Sequence, residues 1–167
     1  MRIAYADPPY IGQGGRYPEK TEVDMEGLIN QITHFYSCWA LSASSSSLKQ
    51  ILSYCPSDVR IAAWVKPFCS FKPNVNPAYA WEPVIFWHPR ARARTEPTVR
   101  DWVSANITIK KGLVGAKPPG FCFWLFDLLG LEPEDDFHDL YSGTGIVTKC
   151  WQSFQEGQRF SQTVMKL

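Results

Sequence analysis

The chain has no apolar run near the ~18 residues that a membrane-spanning helix needs, and no charged-then-apolar leader. The reading is a soluble, cytoplasmic protein with no membrane partner. Cysteine is sparse and odd in number: Cys38, Cys55, Cys69, Cys122 and Cys150 include no Cys-x-x-Cys pair. That argues against a disulfide framework and against a zinc site, and no metal is expected. These thiols read as small buried hydrophobes. His34, His88 and His138 are scattered without ligand spacing and read as structural. Net charge is only +1, so the chain as a whole does not announce a nucleic-acid binder.

Aromatics, by contrast, are plentiful, with seven Trp, seven Tyr and ten Phe in 167 residues, enough for both a core and a stacking surface. The length fits one compact domain spanning 1–167, since domains run to about 100–200 residues. Charge is uneven. Arg90, Arg92, Arg94 and Arg100 lie close together, with Lys110, Lys111 and Lys117 after them. Such a stretch suits a phosphate backbone, against the plainer reading of a solvated loop. The segment 89–116 is the candidate recognition element.

Strand and helix patterns alternate. Asp24 is placed to cap a helix whose apolar positions Leu28, Ile32, Phe35 and Trp39 recur at helical spacing. A short strand is expected at Trp39 to Ser42, and the serine run Ser44 to Ser47 is expected to cap a helix from Leu48 to Tyr54. Arg60 to Val65 and Pro83 to Trp87 read as strands. Between them Phe68, Phe71, Tyr79 and Trp81 are expected to pack as a satellite cluster. Ile11 to Pro18 is glycine-rich and polar, and reads as a loop able to close over a ligand.

Two segments carry chemistry. The apolar run Arg2 to Ala6 delivers Asp7-Pro8-Pro9-Tyr10. Two prolines remove two backbone donors, so the turn presents carbonyls. The Asp7 carboxylate and the Pro8 carbonyl together could accept hydrogen bonds from an exocyclic NH2, whose lone pair is otherwise delocalised into its ring. Tyr10 could stack on the base; only its ring face is needed for that, so Tyr10→Phe is expected to be tolerated. The plainer alternative is an ordinary strand-to-loop turn. The second segment, Phe137 to Gly145, reads as a strand running into the glycine turn Ser142-Gly143-Thr144-Gly145, with a helix starting at Ile146. Glycines admit close backbone approach and a helix N-terminus offers free N–H groups, the makings of a nucleoside-cofactor cradle. The third glycine of the dinucleotide fingerprint is absent, which disfavours NAD.

Together these motifs resemble the amino-methyltransferases that use S-adenosylmethionine on adenine N6 or cytosine N4. Asp7-Pro8-Pro9-Tyr10 is similar to their catalytic Asp/Asn/Ser-Pro-Pro-aromatic signature. Asp139-Leu140-Tyr141-Ser142-Gly143-Thr144-Gly145 resembles their Asp-Pro-Phe-x-Gly-x-Gly cofactor signature, with Leu140 and Tyr141 in place of Pro and Phe. Lys117-Pro118 and the apolar helix from Phe121 to Leu129 look like the element upstream of the cofactor turn.

The resemblance implies a Rossmann-like, mixed α/β sheet, circularly permuted because the catalytic motif precedes the glycine turn. It implies S-adenosylmethionine held by Ala6, Asp7, Lys117, Asp139, Leu140, Tyr141, Ser142, Gly143 and Gly145, and adenine N6 in DNA as the first substrate. Cytosine N4, RNA and a binding module without turnover stay open. The family's acid for the ribose hydroxyls has no counterpart after the strand expected at Phe160 to Leu167, and Glu156 lies too early for it. With only a short recognition segment, specificity rests on a very short site, a single strand, or a partner, either a second copy or an accessory specificity protein.

Overall fold

The computed structural model describes residues 1–12, 22–68, 74–107 and 116–157. Strands β1 (Arg2–Ala6), β2 (Cys38–Ser42), β3 (Arg60–Val65), β4 (Trp81–Trp87), β5 (Trp102–Ser104) and β6 (Asp136–Asp139) form one sheet in the order β5-β3-β4-β2-β1-β6. Strand β1 is parallel to β2 and to β6, and β3 is parallel to β5, whereas β4 runs against both β2 and β3. The expected mixed α/β sheet is therefore present.

Helices cover both faces, which is why β1 and β2 read as continuous apolar runs rather than alternating ones. On one face, Ile3 and Tyr5 pack with α3 (Pro119–Leu129) and α4 (Ile146–Gln155); on the other, Ala4 and Ala6 pack with α1 (Met25–Phe35), and α2 (Leu48–Leu52) completes that layer. Helix α3 is apolar on nearly all sides because it lies deep in the core: Phe126 is fully buried, with its ring against Phe123, Phe137, Trp151 and Phe154. It ends at Gly130, whose φ of 67° is the left-handed cap conformation; a Cβ there would sit 2.9 Å from that of Arg90.

The local expectations meet with mixed outcomes. The Asp24 side chain does cap α1, accepting the Gly27 N–H at 3.0 Å. The helix buries Met25, Leu28, Ile29 and Ile32, however, while Phe35 is 55% exposed and Trp39 already belongs to β2. Periodicity ran on past the helix because the next strand begins with apolar residues. Ser47 makes no side-chain cap to α2; the serine run instead closes a turn, with Ser47 donating to the Ser44 carbonyl. Phe68, Tyr79 and Trp81 do not form a packed cluster, since all three are at least 40% exposed. Cys38, Cys122 and Cys150 are buried and Cys55 is partly so. Phe71, Cys69, most of the loop after Ile11 and the strand expected at Phe160 to Leu167 lie outside the described residues.

Candidate active site

Strand β1 is the point at which the chain's path reverses: α1 carries it to β2 on one side, and α3 returns it to β6 on the other. In open α/β sheets the crevice beyond the carboxyl ends of the strands at such a switch is where ligands bind. Both motifs sit there. Tyr5 is paired with Asp139, and the Leu140 N–H donates to the Tyr5 carbonyl at 2.9 Å. The Asp7 turn and the glycine turn therefore leave the sheet side by side.

Asp7 follows the α3-facing side of β1. Its Oδ1 lies 3.0 Å from the Lys117 ammonium, which is 4% exposed and also lies 2.9 Å from Glu82 Oε2. Glu82 is paired with Lys66 through its other oxygen, and its charge acts on the nearby Tyr10 phenol. Lys66 and Lys117 lie over the Trp64 ring at 4.8 and 5.2 Å, and the Trp64 indole is fixed by the Ala105 carbonyl at 2.8 Å. Beneath this network the buried Tyr5 hydroxyl meets Ser42 Oγ at 2.8 Å.

The electrostatics follow from this packing. Burial pushes Asp7 above the usual carboxylate range, and Glu82 and Asp139 add to it, with Lys117 opposing. Burial would also push Glu82 up, but Lys117 and Lys66 outweigh it and hold the carboxyl below its ordinary value. Lys117 is held well above its own: burial works against the charge, but Asp7, Tyr5, Tyr10 and Glu82 surround it. Burial, then Asp7 and Glu82, raise the Tyr10 phenol.

On the β6 side, Asp139 Oδ2 accepts the Thr148 hydroxyl proton at 2.9 Å, while the buried Oδ1 has no hydrogen-bond partner among the described residues. Burial raises this carboxyl too. Gly143 and Gly145 adopt φ of 45° and 70°. Among the described residues, a Cβ at Gly145 would meet nothing within 4 Å and one at Gly143 only the Tyr141 carbonyl at 3.8 Å. A partnerless buried carboxylate oxygen beside an open glycine turn fits a polar ligand that brings donors such as ribose hydroxyls.

The other expected cofactor residues are distributed differently. Ala6 is fully buried in the α1-side core, and Leu140 and Tyr141 pack against that core, so their side chains serve the fold. Ser142 is exposed and its carbonyl accepts the Gly145 N–H at 2.6 Å. Lys117 is engaged by the Asp7 side of the crevice rather than by the glycine turn.

The arginines lie elsewhere. Arg90 holds Asp135 at 2.6 Å, Glu132 at 3.2 Å and the Gly130 carbonyl at 2.8 Å, and Arg92 donates to the Asp127 carbonyl at 2.6 Å. Asp135 precedes β6, so this rim is the amino-terminal one, about 13 Å along the strands from Asp139. Arg90 is thus held by internal acidic partners, whereas Arg92 is exposed apart from its one bond to the Asp127 carbonyl. Arg94 is exposed, and Arg100 is exposed over the Trp102 ring at 5.5 Å. A cleft of about 410 Å³ between Arg60, Arg92, Arg94 and Leu128 lies on this rim too, away from Asp7. Lys110 and Lys111 lie outside the described residues.

Sequence reasoning missed Glu82, Lys66, Ser42 and Thr148. Glu82 had a readable signal, an acid within the aromatic run Trp81–Trp87, because a charge carried into a sheet interior needs a partner.

A Rossmann-like mixed sheet with its crevice at the β1–β6 switch is the class the fold defines. No protein-family model matches this sequence, and no curated protein matches it. Among solved structures the chain is similar to M1.HpyAVI. A complex of M1.HpyAVI with SAM gives a TM-score of 0.65 at 14% identity, over 93% of this chain and 78% of that one. M1.HpyAVI itself gives 0.60 at 12% identity, over 93% and 76%. At such identities the likeness establishes the shared fold.

Proposed function

We propose that the chain is an S-adenosylmethionine-dependent methyltransferase acting on an exocyclic amino group of a base in DNA, with adenine N6 as the target. The observation that carries this reading is the adjacency of the two motifs: Asp7-Pro8-Pro9-Tyr10 and the Asp139-to-Gly145 turn leave neighbouring parallel strands at one rim. The fold shared with M1.HpyAVI, one structure of which is a SAM complex, supports it. The preference for adenine rests on the Asp-first, Tyr-last form of the motif, and the order of the motifs along the chain is read as a permutation.

In this reading Gly143, Gly145 and Asp139 would hold the cofactor, the glycines by leaving room for it and Asp139 by offering a hydrogen-bond acceptor. When bound, S-adenosylmethionine supplies an electrophilic methyl on a sulfonium. Asp7 accepts a hydrogen bond from the amino group, and the Pro8 carbonyl accepts a second. Two acceptors favour a more tetrahedral nitrogen, whose lone pair is then available. Lys117, at 3.0 Å from Asp7, favours the ionised carboxylate that this role requires, against the burial that disfavours it. The Tyr10 ring stacks on the base once it has left its helix. Exposed Arg92, Arg94 and Arg100 are the arginines proposed to meet phosphates, Arg90 being engaged by Asp135 and Glu132.

Incubation with labelled cofactor and separate DNA and RNA pools, followed by nucleoside analysis, tests the reading. N6-methyladenine in DNA is expected. Label in N4-methylcytosine or in RNA would reassign the substrate, and no transfer to any nucleic acid would refute the enzyme.

A further inference from the structure

The methyl-transfer reading uses Asp7 and Tyr10 but leaves unexplained an acid that touches the machinery at several points. Glu82, the second residue of β4, is half-buried, and its one carboxylate holds two ammonium groups, Lys66 and Lys117, the latter at 2.9 Å and shared with Asp7, with the Tyr10 phenol in its field. Its position is dictated by the sheet. Glu82 is paired with Trp64 across β3, on the face that carries Ala62, Trp64, Val84 and Phe86 toward α3. Asp7 continues the same face of β1, after Ile3 and Tyr5. Lys117, immediately before α3, fills the gap between the two strand ends.

We propose that Glu82 is a positioning residue of the methyl-transfer site, orienting the Tyr10 ring through its hydroxyl and seating Lys117 against Asp7. The proposal rests on the functional reading above and adds a residue from a different strand to it. Two consequences follow. First, the Tyr10 hydroxyl matters as well as the ring, because a charge-assisted hydrogen bond from it to Glu82 would fix the torsions that set the ring's tilt. Tyr10→Phe therefore costs rate, against the expectation from the motif alone. Second, the two lysines are balanced by two acids, Asp7 and Glu82, so removing the charge of Glu82 leaves Lys117 held by an acid on one side only.

The test uses Glu82→Gln, Glu82→Asp, Tyr10→Phe and the double variant Glu82→Gln/Tyr10→Phe. Glutamine keeps the size and avoids leaving two buried ammonium groups beside a void. Single-turnover transfer to DNA is measured at saturating S-adenosylmethionine, with cofactor affinity by calorimetry and denaturant unfolding of the cofactor-free protein. Glu82→Gln is expected to slow transfer by at least about tenfold with cofactor affinity unchanged, because the glycine turn is untouched. Glu82→Asp should recover part of the rate. Tyr10→Phe should slow transfer as well, and the double variant should be less impaired than the product of the single losses. A Glu82→Gln rate equal to that of the parent, or losses that multiply independently, would overturn the proposal.

A parent that methylates no nucleic acid would overturn the functional reading instead. The unfolding equilibria then decide on Glu82: non-additive effects of Glu82→Gln and Tyr10→Phe uphold its hold on the ring, and strictly additive effects overturn it.

Discussion

Lys117→Met removes the ammonium from the centre of the site while keeping a side chain of comparable reach. Glu82 keeps Lys66, but Asp7 loses the cation at 3.0 Å. Removing one partner of a buried pair costs about 3–5 kcal/mol, because the other charge stays behind without compensation. Asp7 retains 20% side-chain exposure, which places the expectation at the low end, about 3 kcal/mol. For a chain of this length that corresponds to a fall in Tm of about 6–12 °C.

The pH dependence of this loss has a definite sign. Burial already holds the Asp7 carboxyl above its unfolded value even with Lys117 present. A group of this kind contributes stability below its unfolded pKa and loses it as pH rises through the folded one. Without Lys117 the folded value climbs further. The deficit of the variant should therefore be largest at neutral pH and shrink on acidification, as the stranded carboxyl takes up a proton. Denaturant unfolding followed by circular dichroism across this range measures it. A deficit below about 1 kcal/mol at neutral pH, or one that does not narrow on acidification, would refute the claim that Lys117 holds Asp7 ionised.

Three further outcomes are expected. Asp7→Ala should slow single-turnover methyl transfer about 100- to 1,000-fold while cofactor binding persists, the usual value of one preorganised electrostatic contact; a mild loss would remove Asp7 from the chemistry. Gly143→Val should leave a folded protein, since little surrounds the added atoms, with about 1–2 kcal/mol of backbone strain at φ 45°. Its S-adenosylmethionine affinity should be lost, and calorimetry showing parental affinity would refute the cradle. Arg90→Met should cost about 1.5–3 kcal/mol by removing one of the two cations of buried Asp135, the Met1 ammonium remaining, without changing the salt dependence of nucleic-acid binding. Removing Arg94 and Arg100, in contrast, should flatten the salt dependence by about 0.9 log unit per lost duplex contact, and an unchanged slope would return them to a solvated loop.

The residues by themselves specified the mixed α/β class, most of the element positions and the two motif turns, because these depend on local information. An apolar run bounded by prolines or glycines is a buried strand in most contexts, and Asp24 caps α1 whatever packs against it. Glycines at Gly143 and Gly145 signal positive φ without reference to the rest of the chain. What tertiary structure alone decided was which distant charges meet. Arg90 and Lys117 look alike in sequence, as cations in one basic stretch. The sheet takes Arg90 to Asp135 at the amino-terminal rim, and Lys117 to Asp7 and Glu82 at the opposite one. The exposure of Phe68, Tyr79 and Trp81 was likewise invisible, because aromatic composition cannot say whether a helix lies over a loop. Local pattern determines which way a side chain points within its own strand. Its partner is set by strand order, in which β4 and β1 come to flank β2 although more than seventy residues separate them in sequence.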